Sequence, residues 1–161
     1  MNKNMPPFDL FDAQTDEPAT GIEFVSEDVD FQLPDEARTM QWLHAVAEAE
    51  GASIHTLTYI FCSDDYLYDI NLRYLDHDTY TDVITFPYAE PGEAVQGDIF
   101  ISIDRVADNA RLLATDPHEE MRRVLVHGLL HLLGHSDKTA PEQAAMRLGE
   151  DKHLANYHQQ T

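Results

Sequence analysis

His127 and His131 stand four residues apart in the stretch His127-Gly-Leu-Leu-His131-Leu-Leu-Gly134-His135-Ser-Asp137. On a helix that spacing places two imidazoles one turn apart on one face, where they can share a cation. Gly134 can take the left-handed conformation that ends a helix and folds the chain back. Such a bend can return Asp137 to the same ion. Two neutral imidazoles, one further ligand and an open fourth position for water describe a catalytic zinc site. A structural site is usually closed by four protein ligands, and the single cysteine, Cys62, offers no pair to close one.

Histidines four apart also arise by chance. Here they lie in an apolar helix beside Leu130, Leu132 and Leu133, where polar rings need partners, and ligand-type side chains follow the glycine. The same string excludes one chemistry. A zinc peptidase of the H-E-x-x-H type carries its general base directly after the first histidine, and that position is Gly128.

Several elements must position these residues. Gly21-Ile-Glu-Phe-Val alternates like a short strand. Residues 34–50 read as a helix opened by Pro34 and Asp35, with Ala37, Met40, Leu43, Val46 and Ala47 on one face and Gly51 as its stop. Residues 53–62 are β-branched and aromatic, hence a strand, and Ser63 caps a helix running to about Tyr74. A loop over 75–81 precedes the strand Asp82-Val-Ile-Thr-Phe-Pro87, and Gly97-Asp-Ile-Phe-Ile-Ser-Ile is a further buried strand. Asp104 is expected to cap a helix to about Ala114. Pro117-His-Glu-Glu starts the histidine helix, and a last helix runs from about Pro141 to His158. The order βαβαββααα predicts one α/β domain with a mixed sheet over residues 21–161, behind a loosely ordered arm at 1–20.

Thirty acidic against ten basic residues give a formal charge of −20, which repels polyanions at long range. A nucleic-acid ligand therefore needs a local basic stripe or a metal to bind. No apolar run reaches the ~20 residues of a membrane span. The start lacks a secretory pattern, and the lone cysteine suits a reducing cytoplasm.

With those residues in view, the chain resembles the YbeY family of bacterial metal-dependent endoribonucleases. The family pattern H-G-x-L-H-L-x-G-y-D-H matches from His127 through Gly134. A second block is similar to Asn71-Leu-Arg-Tyr-Leu-Asp-His-Asp-Thr-Tyr-Thr-Asp-Val-Ile-Thr-Phe-Pro87, and a third to Gly97-Asp-Ile. The resemblance spans about residues 63–140. It implies a mixed four-stranded sheet packed with helices, a zincin-like metal helix, and one zinc ion per chain. It also implies cleavage of single-stranded RNA, with ribosomal RNA as substrate and proteins of the small ribosomal subunit as partners. The implied roles are small-subunit 3′-end processing and ribosome quality control.

Three departures stand out. Asp137 replaces the family's third histidine and can ligate through oxygen. His135, at the usual tyrosine position, competes for that role but has less chain in which to turn back. Leu75 stands where many members carry a catalytic arginine, for which Arg73 is the nearest substitute, and Tyr80 replaces a proline.

Arg73, Arg122 and Arg123 are candidate phosphate contacts, although Glu119 and Glu120 could simply pair with the last two. Asp82, just before a strand, is expected to serve catalysis by orienting a metal histidine. His77 and Asp78 could border the cleft. His44, His55, His118, His153 and His158 have no partner at ligand spacing and read as ordinary. Trp42 and Phe86 read as core. Two rivals remain open: a metal hydrolase of a small molecule, which predicts a closed apolar pocket, and a metal-stabilised ribosome-assembly module without catalysis.

Overall fold

The computed structural model describes residues 21–159, so the 1–20 arm lies outside the described residues. The elements are β1 (Ile22–Ser26), α1 (Glu36–Ala49), β2 (Ile54–Cys62), α2 (Asp64–Leu75), β3 (Val83–Pro87), β4 (Val95–Ser102), α3 (Ile103–Leu113), α4 (Pro117–Leu132) and α5 (Ala140–Gln159), in the expected order. The sheet runs β1-β2-β4-β3, with β3 antiparallel to β4 and the other pairs parallel. This is the α/β architecture with a mixed four-stranded sheet that the resemblance implied.

The sheet separates two cores because alternate side chains leave opposite faces. Leu57, Tyr59, Phe61, Ile99 and Ile101 join Trp42, Leu43, Leu125 and Leu129 in the larger one. Ile60, Cys62, Phe86 and Phe100 meet Leu67 and Ile70 of α2 in the smaller. Trp42 and Phe86 are thus core, as their composition suggested. Cys62 is buried and its thiol is pushed above the usual range, first by burial and then by nearby carboxylates, so it is an inert core residue.

Caps set most boundaries. Ser63 accepts from Tyr66 N–H to start α2, and Asp116 accepts from His118 N–H ahead of Pro117 to start α4. Two expectations are corrected. Ser102, not Asp104, caps α3, because its hydroxyl lies 3.1 Å from Arg105 N–H. The Asp104 carboxylate accepts instead from Asp64 N–H at 2.9 Å. On α1, Pro34 lies outside the helix, Asp35 adopts a left-handed φ of 55° without a side-chain cap, and Ala37 is exposed. The buried face is carried by Thr39, Trp42, Leu43, Val46 and Ala47, and at about 100° per residue Ala37 projects from the opposite side of the helix.

The histidine helix lies close on β3 and β4. Gly128 explains how: a Cβ there would sit 2.9 Å from Ile99 Cγ2 and 3.0 Å from Ile99 Cδ1. Position 128 therefore faces the sheet and has no room for the glutamate of a peptidase. Gly128→Ala should destabilise the fold despite a better helix propensity. Overpacking against a rigid, β-branched side chain costs about 1–3 kcal/mol, against a propensity gain of about 1 kcal/mol. The net loss, up to about 2 kcal/mol, should appear as a lower denaturant midpoint with an unchanged m-value.

Candidate metal centre

The end of α4 builds the site. Leu133 is the last cap, and Gly134 turns left-handed with φ 104°. Gly134 N–H then donates to His131 O, and His135 N–H to Leu130 O, both at 3.0 Å. This pair of bonds is a Schellman ending, which fixes the direction of the departing chain. Past Asp137 the chain is fixed again. Thr139 Oγ1 accepts from Glu142 N–H at 3.2 Å, and the Glu142 carboxylate accepts from Thr139 N–H at 3.0 Å. That reciprocal capping box starts α5, so Asp137 hangs between two locally determined structures.

Its carboxylate turns back to the histidines. Asp137 Oδ2 lies 3.3 Å from His131 Nε2 and 3.5 Å from His127 Nε2, and the two Nε2 atoms are 3.1 Å apart. Zinc bonds of 2.0–2.2 Å in a tetrahedron imply ligand separations of about 3.3 Å. Among the described residues these three form the one group able to hold a metal ion. The donor set fits.

Both rings are oriented from behind. His127 Nδ1 donates to Glu150 Oε2 at 2.6 Å, and His131 Nδ1 donates to the carbonyl of His135 at 3.0 Å. A carboxylate and a carbonyl can only accept, so the protons of the neutral rings sit on Nδ1. Both Nε2 lone pairs therefore face the same point. His135's own ring is engaged elsewhere, with Nε2 2.9 Å from Glu50 Oε1.

Glu150 is 5% exposed, and its other oxygen accepts from Arg123 at 2.8 Å. Burial alone would raise its pKa, but the hydrogen bonds from His127 and Arg123 win and hold it below 4.5. Burial would likewise lower the pKa of His127; Glu150, helped by the charges of Asp82 and Asp137, holds it above 6.5. The lowered Glu150 adds stability above pH 4.5 that fades as pH falls through its folded value. The raised His127 adds stability below pH 6.5 that fades as pH rises through its folded value. In metal-free protein the pair thus contributes fully between about pH 4.5 and 6.5. The difference in thermal midpoint between wild type and Glu150→Gln should be largest in that window and smaller at alkaline pH.

The donors open into a cleft of about 390 Å³ lined by the α2 end, the 76–82 loop, β3 and α4. Its walls include Asn71, Leu75, His77, Thr79, Thr81 and Asp82. The lining is mostly polar, unlike the closed apolar pocket expected of a small-molecule hydrolase. Asp82 faces the cleft as expected but is not the partner that orients a histidine; Glu150 fills that role, and Asp82 acts on His127 through charge.

Arg73 is not among the lining residues. It pairs with Asp69 at 2.8 Å, one turn back on an exposed face, while Leu75 holds the cleft position. Two residues along a helix rotate a side chain by about 200°, so Arg73 cannot stand in for position 75. Arg122 pairs with Glu119, as weighed above, but Arg123 bonds Glu150 and Asp151 rather than Glu120. Asp78 accepts from Tyr68 Oη outside the lining.

Glu150, Glu50 and His153 escaped the sequence reading. His153, read as ordinary, is 1% exposed with its ring 2.8 Å from Glu50 Oε2. The Thr139-x-x-Glu142 capping box was visible in the sequence and would have located the start of α5 one residue earlier.

Comparison with known proteins adds an independent line. The family model described as Endoribonuclease YbeY matches residues 22–158. Endoribonuclease YbeY of Cytophaga hutchinsonii is 51% identical over 134 residues, covering 83% of this chain and 94% of that protein. Its counterpart in Amoebophilus asiaticus is 44% identical over 137 residues, covering 85% and 93%. A Thermotoga maritima protein known from a solution structure shares the fold with a TM-score of 0.59 at 25% identity, over 84% of this chain and 88% of its own. Among the described residues no helix is long and apolar enough to cross a membrane.

Proposed function

The chain belongs to the YbeY family of endoribonucleases, and on that premise we propose that it is a metal-dependent endoribonuclease acting on single-stranded ribosomal RNA. The observation that carries this reading is the convergence of His127 Nε2, His131 Nε2 and Asp137 Oδ2, 3.1–3.5 Å apart, at an open polar cleft. Zinc is the ion that best suits two imidazoles and a carboxylate with a free position. When bound, such an ion supplies Lewis acidity toward a phosphoryl oxygen and makes water a stronger nucleophile.

The chain's own residues do the rest. Glu150 and the His135 carbonyl keep the Nδ1 protons in place, so both rings present lone pairs and no N–H to the cleft. Asp82 holds a carboxylate on the wall, where it can accept a proton from water beside a bound phosphate. Thr79, Thr81 and Thr85 offer neutral hydrogen-bonding groups to sugar hydroxyls and base edges. The buried Asn71 amide holds Thr79 in place by donating to its carbonyl and hydroxyl. Arg73 takes no part. The same reading extends, on the family resemblance, to small-subunit 3′-end processing, ribosome quality control, contact with small-subunit proteins and a cytoplasmic setting.

Leu75 lines the cleft where the family resemblance implies an arginine, and among the described residues the lining contains no Lys or Arg. That observation favours the second reading, an assembly module without catalysis, and also makes a prediction. RNA affinity should depend on the metal and only weakly on salt, with a log–log slope shallower than about −2, because few protein cations release counterions. Zinc-loaded protein should cut a labelled single strand, spare the matching duplex and stop on chelation. Binding without any cut would select the module, and cutting that survives complete metal removal would reject the metal reading.

A further inference from the structure

The bend that carries Asp137 is exposed, and its hinge is a glycine at φ 104°. A carboxylate on such a bend must lose freedom when it ligates, which weakens binding unless something holds it in advance. Glu50, the last cap of α1, is placed to do this. One of its oxygens is 2.9 Å from His135 Nε2 and the other 2.8 Å from His153 Nε2. His153 is an anchor, fully enclosed on α5, and its own carbonyl accepts from Trp42 Nε1 at 2.8 Å. The bend is thereby tied to α1 and α5 at once.

His135 transmits the tie in two directions. Its backbone carbonyl accepts the His131 Nδ1 proton at 3.0 Å, so its position sets the ring of one donor. Two residues on, the same segment delivers Asp137, the other donor on this side. We propose that Glu50 and His135 are positioning residues that pre-organise the metal centre, with His135 acting through its ring as a brace and not as a ligand. The inference rests on the metal reading of His127, His131 and Asp137.

The test is zinc affinity, measured by competition with a chromophoric chelator, alongside the unfolding midpoint of the metal-free protein. His135→Ala keeps the backbone carbonyl and removes a ring that is 41% exposed. It should weaken zinc binding by about tenfold while the metal-free midpoint stays unchanged. His135→Gln, whose amide can still donate to Glu50, should restore most of the affinity. Glu50→Ala, which removes both acceptor oxygens, should weaken zinc to a similar degree, and combining it with His135→Ala should add nothing further, since both cut one connection.

Wild-type affinity in His135→Ala overturns the brace. So does loss in His135→Ala alongside unchanged or tighter binding in Glu50→Ala, which would make His135 a ligand. A wild-type chain that takes up no zinc defeats the metal reading itself, a separable result from zinc uptake that the variants leave unaltered.

Discussion

Replacing His127 by alanine is expected to lower RNA cleavage by at least roughly 10³-fold while the protein stays folded. Lewis-acid stabilisation of a developing phosphoryl charge is worth several kcal/mol, and each ~1.4 kcal/mol is a factor of ten in rate. His127 is one of three donors in the group, and the two survivors include Asp137, whose bend depends on a left-handed glycine. Two donors of that kind should hold an ion weakly.

The fold has reason to persist. The His127 ring is 23% exposed at the cleft wall, and Glu150 keeps its bond to Arg123 when the ring is gone. Circular dichroism should stay native, and the unfolding midpoint should fall only modestly because Glu150 loses one of its two partners. A metal assay should show the ion lost. His131→Ala should behave alike, because its Nε2 lies 3.1 Å from that of His127 and is oriented by the bend in the same way. Cleavage by a folded, metal-free His127→Ala protein at wild-type rate would end the assignment of the chemistry to this centre.

What was legible in the sequence is what a single helix and its ending determine. The four-residue spacing, the glycine stop and the aspartate beyond it lie within eleven consecutive residues, so local geometry carries all three donors to one side of the cleft, where they come within 3.5 Å. The element order was legible for the same reason, since caps, glycines and alternating apolar residues act over a few positions. Sheet order was accessible only through the family resemblance, because strand pairing is decided by contacts far apart in the chain.

The supporting residues were not legible. Glu150 reaches His127 across 23 positions, and Glu50 reaches His135 across 85 and His153 across 103. An acid on a helix carries no mark of whether it faces solvent or a buried ring. Arg73 shows a related failure: chain proximity to position 75 suggested a substitute, yet helical phase put it beside Asp69. Sequence distance was a good guide to the ligands and a poor guide to what orients them.

Glu150→Ala is expected to have the largest effect on stability and a large effect on metal affinity together. The residue joins α5 to α4 by two charged bonds, at 2.6 Å to His127 Nδ1 and 2.8 Å to Arg123. Removing one partner of a buried charged pair costs about 3–5 kcal/mol. Arg123 is 18% exposed and keeps its 2.7 Å bond to the more open Asp151, which limits the loss to about 3 kcal/mol. The His127 ring would also lose the acceptor that fixes its tautomer, and such outer partners are worth about 10–100-fold in metal affinity.

Glu150→Gln separates the two effects. Its amide has the shape of the carboxylate and one oxygen that can still accept, so most of the packing survives. That oxygen cannot satisfy both Arg123 and the His127 Nδ1–H. If it turns to Arg123, the amide N–H₂ faces His127 and favours the ring tautomer with its proton on Nε2, where the metal should bind. Chemical denaturation should therefore place Glu150→Gln between wild type and Glu150→Ala, while zinc competition should place both variants well below wild type. Wild-type zinc affinity in either variant would show that His127 is oriented by its own helix and neighbours, and would reduce Glu150 to a clamp between α4 and α5.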